Sequence, residues 1–238
     1  MFTIGSGTAA PSRRRSYVVL VFMTLAAGAM DAVAFLGLGG IFTANMTGNL
    51  ILLALVGEEG WEIRALRASL ACVVFCVGLL TGFGMPKRGR VKERWPAAVT
   101  RLLWVDLLLQ TAFLVGWVLC EGAPGPSLML VLIALGSFAM GIQAAAARRV
   151  DIAGITTTFV TGTLTALAES LASRNSSHIA HRAGIVLALV CGALCASLLL
   201  HVARLWAAAV PLVFMLTALA IVMTGLHARK PRPVPRRG

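Results

Sequence analysis

The chain has 238 residues, of which 58% are hydrophobic and only 13% are charged, and its net charge is +12. Soluble domains have about 25% charged residues, so this composition excludes an ordinary soluble protein and indicates an integral membrane protein. The basic residues form short clusters beside apolar runs, which favours a role in membrane orientation over nucleic-acid binding. We therefore expect the lipid bilayer, and no nucleic acid, as the partner of a single membrane domain over 1–238.

The apolar runs predict eight membrane segments and an all-α fold. Their approximate bounds in chain order are 17–38, 41–56, 64–84, 97–120, 127–147, 155–172, 183–202 and 205–227. Glycines at 37, 39 and 40 are predicted to turn the chain back into the membrane after the first segment. The basic ends, 1–15 and 229–238, have too few apolar residues to fold and are predicted to be mobile.

The second and sixth segments contain the same motif. Met-Thr-Gly-Asn-Leu at 46–50 is echoed by Val-Thr-Gly-Thr-Leu at 160–164, 114 residues later. The starts of the other segments recur in the same order, and the cysteines at 72 and 76 recur at 191 and 195. This order predicts two four-segment repeats, about 17–120 and 127–227.

The distribution of Lys and Arg indicates how many segments cross the membrane. Eight crossings from a cytoplasmic N-terminus would leave 12 basic residues inside and 9 outside, which is almost no bias. If the second and sixth segments enter and leave on one face, 18 basic residues lie inside and 3 outside, as the positive-inside rule requires. We therefore predict six crossing helices plus two short broken or re-entrant Thr-Gly segments, with both termini cytoplasmic.

Three crossings per repeat would make the second copy inverted relative to the first, an architecture that recurs among transporters. Thr47 or Asn49 is predicted to cap a short half-helix in one repeat, and Thr161 or Thr163 to cap another. The positive ends of the two half-helices would then meet at one midplane site, which suits an anion or a hydrogen-bonding neutral solute.

Asp31 lies inside the first segment, where an ionised carboxylate costs about 2.5–3.5 kcal/mol. This cost predicts that Asp31 either takes up a proton or accepts hydrogen bonds from the segment 47–49, and in the hypothesis that we favour it is a proton or cation coupling group. Gln143 occupies nearly the matching place in the second repeat. The predicted solute site consists of Asp31, Asn45, Thr47, Gly48, Asn49, Gln143, Thr158, Thr161, Gly162 and Thr163.

Structural alternatives remain open for these residues. Thr-Gly is also a close-packing motif between membrane helices, Asp31 also suits an outer interface, and Gln143 also suits a hydrogen bond between helices. Asp106 fits either an ion pair with Arg101 or a buried polar stripe with Gln110, four residues away on the same helix face.

No cofactor, metal site or enzymatic activity is predicted. The sequence has no phosphate-binding loop, zinc-protease signature or nucleophile elbow. The paired cysteines suit ordinary helix packing, and the histidines at 178 and 181 suit a solvated loop.

The paired motifs resemble those of the YoaK-like family of bacterial inner-membrane proteins, a domain of unknown function. The resemblance lies in 28–36 and 42–49 of the first repeat and in 141–143, Arg148-Arg149 and 157–164 of the second. The family usually has Asn after the glutamine, whereas this chain has Ala144. The resemblance implies a polytopic membrane protein and supplies no substrate.

Three functions are compatible with these observations. The hypothesis that we favour is a permease or channel for a small polar or anionic solute, as a single subunit or a homo-oligomer. The second is a membrane scaffold or regulatory protein in which the polar residues serve only helix packing. The third is an intramembrane enzyme acting on a lipid or isoprenoid phosphate, although the clustered acids or bases that it needs are not evident.

Overall fold

The computed structural model describes residues 13–86, 97–150, 160–172 and 179–227, and every regular element within them is helical. The α-helices are α1 Arg13–Gly37, α2 Met46–Ala54, α3 Trp61–Gly84, α4 Ala97–Leu119, α5 Pro126–Val150, α6 Val160–Ala172, α7 Ile179–Val202 and α8 Ala209–His227, and a short 3-10 turn, Arg204–Trp206, precedes α8. Three residues assigned to the basic N-terminal end belong to α1, because this helix begins at Arg13. The predicted mobile end 229–238 lies outside the described residues.

Six of the described helices are long and apolar enough to cross a membrane: α1, α3, α4, α5, α7 and the Arg204–Thr224 region that contains most of α8. By contrast, α2 has 9 residues and α6 has 13. At 1.5 Å per residue they are about 14 and 20 Å long, short of the roughly 30 Å hydrocarbon core. The predicted all-α polytopic fold with six long and two short segments is therefore confirmed.

The ends of the long helices define two faces of the bundle. On the N-terminal face, the Tyr17 hydroxyl of α1 donates to the His181 carbonyl of α7, so these two helices start together. On the opposite face, Gly37 at the end of α1 lies against the Trp117 ring near the end of α4. Since α5 returns from α4 through a short loop, α5 ends on the N-terminal face.

The third helix runs in the same direction as α5. Arg149, in the last turn of α5, donates to the Gly82 carbonyl at 2.8 Å and to two further carbonyls at the end of α3. Both helices therefore end on the N-terminal face, and α3 begins on the opposite face, where α1 ends. The short helix α2 lies between those two points, so it enters and leaves the bundle on one face and is re-entrant.

The core is built on α1 and α5, whose apolar windows are the most buried of the six. Helix α1 packs against α7 and α8, and α5 packs against α3 and α4. Glycines allow the closest approaches. Gly28 of α1 lies against the Leu189 carbonyl of α7, and Gly141 of α5 lies against the Phe75 carbonyl of α3.

Cysteine labelling tests the re-entrant path of α2. Arg14 and Glu59 are both exposed, and in a cysteine-free background we expect Arg14→Cys and Glu59→Cys to react with a membrane-impermeant maleimide from opposite sides. The physical reason is that only α1 crosses between them. Labelling of both positions from the same side would mean that α2 crosses the bilayer, which would contradict this topology.

Substitution of Gly28 tests the packing of α1 on α7. A Cβ at this position meets the Leu189 carbonyl, so Gly28→Val should lower the free energy of unfolding by at least about 1–3 kcal/mol, as overpacking does. The control is Gly84→Ala, because no atom lies within 4 Å of a Cβ at Gly84. Thermal unfolding in detergent measures both variants, and equal melting temperatures would exclude the close contact.

Candidate functional site

The Asp31 carboxylate holds the loop between α1 and α2. Its Oδ1 accepts hydrogen bonds from the Thr43 N–H at 2.8 Å, the Thr43 hydroxyl at 3.1 Å and the Ala44 N–H at 2.7 Å. Its Oδ2 accepts the Asn45 N–H at 3.1 Å. Four donors on three consecutive residues thus converge on one side chain, which provides the compensation that a carboxylate inside a membrane protein requires.

Asn49 forms a second clamp on the same loop. The side-chain Oδ1 of Asn49 accepts the Phe42 N–H at 2.9 Å, and its Nδ2 donates to the Phe42 carbonyl at 2.7 Å. Asn49 is fully buried, so its amide satisfies backbone groups that have no helix or sheet partner. Asn49 therefore shapes the loop.

The N-terminal cap of α2 is Asn45, whose side chain accepts the Gly48 N–H at 3.3 Å. The prediction that Thr47 or Asn49 caps this helix is wrong, because α2 starts at Met46 and Asn49 is occupied by Phe42. Gly48 is needed for a different reason: a Cβ there would lie 2.8 Å from two carbons of the Phe42 ring. The Thr-Gly motif thus lets the loop pack closely on the first turn of α2.

The loop lies deep in the bundle. The Thr43 side-chain methyl is 3.0 Å from the ideal Cβ position of Gly136, which also lies 3.4 Å from the Phe113 ring. Gly136 is ten residues into α5, or about 15 Å along its axis at 1.5 Å per residue. The loop therefore reaches roughly half-way across the membrane. Gly39 and Gly40 permit the turn that leads into it, with φ of 85° and 78°.

The structure brings five of the predicted site residues together: Asp31, Asn45, Thr47, Gly48 and Asn49. The side chains of Asn45 and Thr47 are exposed, whereas Asn49 is buried. Gln143 lies elsewhere, because its Nε2 donates to the Met23 carbonyl at 2.7 Å. Met23 is two turns from Asp31 along α1, and Gln143 links α5 to α1.

The predicted residues of the second repeat are only partly described. Thr158 and the side chain of Thr161 lie outside the described residues. In α6, Thr163 is buried and Gly162 is exposed. Helix α6 packs against α7, whereas α2 packs against α3. Within the described ranges, the two short helices make no extensive contact with each other.

Asp106 and Gln110 form the buried polar stripe, not an ion pair with Arg101. Gln110 Nε2 donates to Asp106 Oδ1 at 3.1 Å, and both residues are buried, whereas Arg101 is exposed.

Two residues that form structural hydrogen bonds, Thr43 and Arg149, were not identified from the sequence. Thr43 supplies two of the donors to Asp31, and the polar run around it was the available signal. Arg149 caps the end of α3. In the sequence it lies at the end of an apolar segment, where a basic residue indicates only the orientation of the segment in the membrane.

These features define a polytopic α-helical membrane protein with a re-entrant helix whose loop is anchored by the half-buried Asp31 carboxylate. The family described as "Protein of unknown function (DUF1275)" matches residues 19–222, and the chain belongs to this family. A similar protein is the UPF0700 transmembrane protein YoaK of Bacillus subtilis (strain 168), with 34% identity over 156 residues, which cover 66% of this chain and 67% of YoaK. The resemblance to YoaK-like proteins is thus confirmed. No solved structure matches the chain.

Substitution of Asn49 tests the clamp on Phe42. Asn49→Ala leaves the Phe42 N–H and carbonyl without their side-chain partner, so the free energy of unfolding should fall by about 1–3 kcal/mol. Thr47→Ala, two residues away but exposed, should change it by less than about 0.5 kcal/mol. Thermal unfolding in detergent compares the two. Equal losses would show that the Asn49 bonds do not hold the loop.

Proposed function

We propose that this protein is a non-enzymatic permease or channel for a small polar or anionic solute, and that the solute passes beside the re-entrant helix α2. We place it in the bacterial inner membrane because it is similar to a bacterial transmembrane protein, and we place both termini in the cytoplasm on the basis of its basic-residue distribution. The proposal assigns Asp31, Asn45 and Thr47 to the solute pathway. Asn49 and Gly48 shape the loop that carries them.

The observation that carries this proposal is a polar, non-helical loop at mid-bundle depth with exposed polar side chains at its end. Irregular backbone at such depth is tolerated only where protein buries it or a wet cavity contacts it. Asp31 and Asn49 provide hydrogen-bond partners for the part of the loop backbone that is buried in the protein. Asn45 and Thr47 are exposed, and hydrocarbon offers no hydrogen-bond partner to their side chains, which favours a water-filled cleft beside them.

The donors around Asp31 suggest how a solute would engage the loop. The N–H groups of Thr43, Ala44 and Asn45 point at one carboxylate, and such a cluster at a helix N-terminus also suits an anion from solution. In the described state Asp31 itself fills that position. An anionic solute would therefore have to compete with Asp31, whereas a neutral polar solute would contact the exposed side chains.

We further propose that the two halves form an inverted repeat, which would supply the two alternative arrangements that transport needs. Two pairs of equivalent contacts support this. The Leu25 carbonyl of α1 lies against Gly192 of α7, and the Phe138 carbonyl of α5 lies against Gly78 of α3. Leu25 and Phe138 are 113 residues apart, and the two glycines are 114 apart.

A non-transporting scaffold is the second candidate, and a specific observation favours it. Asp31 and Asn49 find their partners within one repeat, so their chemistry is complete without a solute. In that case the midplane would be dry. The two candidates differ in whether water and solute reach the exposed side chains of Asn45 and Thr47.

Uptake into proteoliposomes tests transport. We expect Thr47→Val to reduce the flux of the transported anion, amide or sugar by roughly tenfold, the effect of about 1.4 kcal/mol, because it removes an exposed hydroxyl from the pathway without removing a bond that holds the loop. Thermal stabilisation across a metabolite panel would first identify a solute, since a ligand that binds the folded state raises its stability.

The matched control is Thr81→Val, which changes an exposed threonine on α3 near the N-terminal face. Its hydroxyl donates only to the Val77 carbonyl in the same helix, so uptake should remain at the wild-type level. If no panel solute enters proteoliposomes with the wild-type protein, or if both variants transport equally well, the pathway beside α2 is contradicted.

A further inference from the structure

The fourth helix contains an acid that the site around Asp31 does not use. Asp106 and Gln110 lie one turn apart on the buried face of α4, and their side chains are 0% and 1% exposed. Gln110 Nε2 donates to Asp106 Oδ1 at 3.1 Å. Among the described residues, no donor reaches Asp106 Oδ2 or Gln110 Oε1, although both oxygens are buried.

Asp31 and Asp106 differ in the number of hydrogen bonds that their carboxylates accept. Asp31 accepts hydrogen bonds at both oxygens from four donors, which suits an ionised carboxylate. Asp106 accepts one hydrogen bond at one oxygen and has a bare acceptor beside it. A buried ionised carboxylate with an unpartnered oxygen is strongly disfavoured, so Asp106 requires a hydrogen that the neighbouring side chains do not provide.

We propose that Asp106 is a proton-binding site inside the helix bundle, with Gln110 as its partner. The carboxylate takes a proton from water, an O–H bond forms at Oδ2, and the side chain becomes a neutral carboxylic acid. This hydroxyl donates to Gln110 Oε1, while Gln110 Nε2 continues to donate to Asp106 Oδ1. One bound proton therefore satisfies both buried acceptors in a ring of two hydrogen bonds.

Among the residues that the structure describes, no cation is placed to neutralise Asp106 instead of a proton. Helix α4 packs mainly against α5 and α8, and α8 has no acidic or basic residue except His227 at its last position. The basic residues of α5 are Arg148 and Arg149 in its last turn. Arg149 donates to carbonyls of α3, so it is directed away from α4.

The remaining charges near α4 lie at its ends. Arg101, on α4 itself, is exposed. Arg204 of the 3-10 turn donates to the Gly122 carbonyl at 2.7 Å, beyond the far end of α4. Asp106 is nine residues into the helix, or about 14 Å from its start at 1.5 Å per residue, so none of these groups neutralises it directly.

The polar surroundings favour a proton over an anion. Extending the antiparallel contacts of Gly116 with Leu132 and of Phe113 with Gly136 places Asp106 level with Gln143 of α5. The Nε2 of Gln143 is engaged by α1, and its Oε1 is a further buried acceptor without a partner. Asp106 Oδ2, Gln110 Oε1 and Gln143 Oε1 are all acceptors without a partner, which disfavours an anion, whereas a proton supplies a donor.

Infrared spectroscopy of the full-length protein tests the proton site without any solute. Wild-type protein with 13C-labelled aspartate should show the carbonyl stretch of a protonated carboxylic acid at neutral pH. The band should disappear in Asp106→Asn, whose amide has the same shape as the neutral acid, and persist in Asp31→Asn. The absence of such a band from the wild type, or its persistence in Asp106→Asn, would overturn the proposal.

Gln110→Leu tests whether Gln110 accepts a hydrogen bond from protonated Asp106 or has only a structural role. Without Gln110 Oε1 the acid hydroxyl loses its acceptor, so the carbonyl band should remain but move to higher frequency. The matched control is Thr111→Val, next along α4 and bonded only to its own helix through Leu107, which should leave the band in place. An unmoved band in Gln110→Leu would contradict the ring.

A coupling role for Asp106 rests on the proposed transport function and is tested separately. In proteoliposomes with a pH gradient, Asp106→Asn should retain solute exchange and lose the severalfold stimulation of uptake by the gradient. Stimulation that survives in Asp106→Asn would overturn the coupling role. An infrared band that behaves as expected in a protein that moves no solute would support the proton site and contradict the proposed function.

Discussion

The loop between α1 and α2 depends on one carboxylate. Asp31 accepts hydrogen bonds from the N–H groups of three successive loop residues, and without it these groups would lose their partner inside the bundle. In the same way, the Asn49 side chain forms hydrogen bonds with the backbone N–H and carbonyl of Phe42. These hydrogen bonds tie the loop residues 42–45 to α1 and to the first turn of α2. A loop held in this way is a fixed polar element inside an otherwise apolar bundle.

The two acids inside this bundle, half-buried Asp31 and fully buried Asp106, therefore have opposite surroundings. Asp31 is surrounded by donors, and Asp106 has one donor and a neighbouring acceptor. The first arrangement favours a fixed negative charge that organises backbone, and the second favours a neutral acid that carries a proton. In our proposal, Asp31 is a fixed charge beside the solute pathway, and Asp106 is the acid that binds a proton.

The sequence predicted the helices well because length, hydropathy and the distribution of basic residues are summed over many positions. It placed α2 and α6 correctly as short segments, since a nine- or thirteen-residue helix leaves a visible mark in both hydropathy and charge. It did not identify Asn45 as the cap, because several neighbouring residues have suitable side chains and only the path of the loop selects one.

The central claim is that the Asp31 carboxylate holds the re-entrant loop, and amide hydrogen exchange in detergent or nanodiscs tests it most directly. In Asp31→Ala, peptides covering 42–46 should exchange much faster than in the wild type, while peptides from the middle of α5 should keep their protection. Unchanged exchange at 42–46 in the folded variant would show that other contacts hold the loop, and would contradict the account.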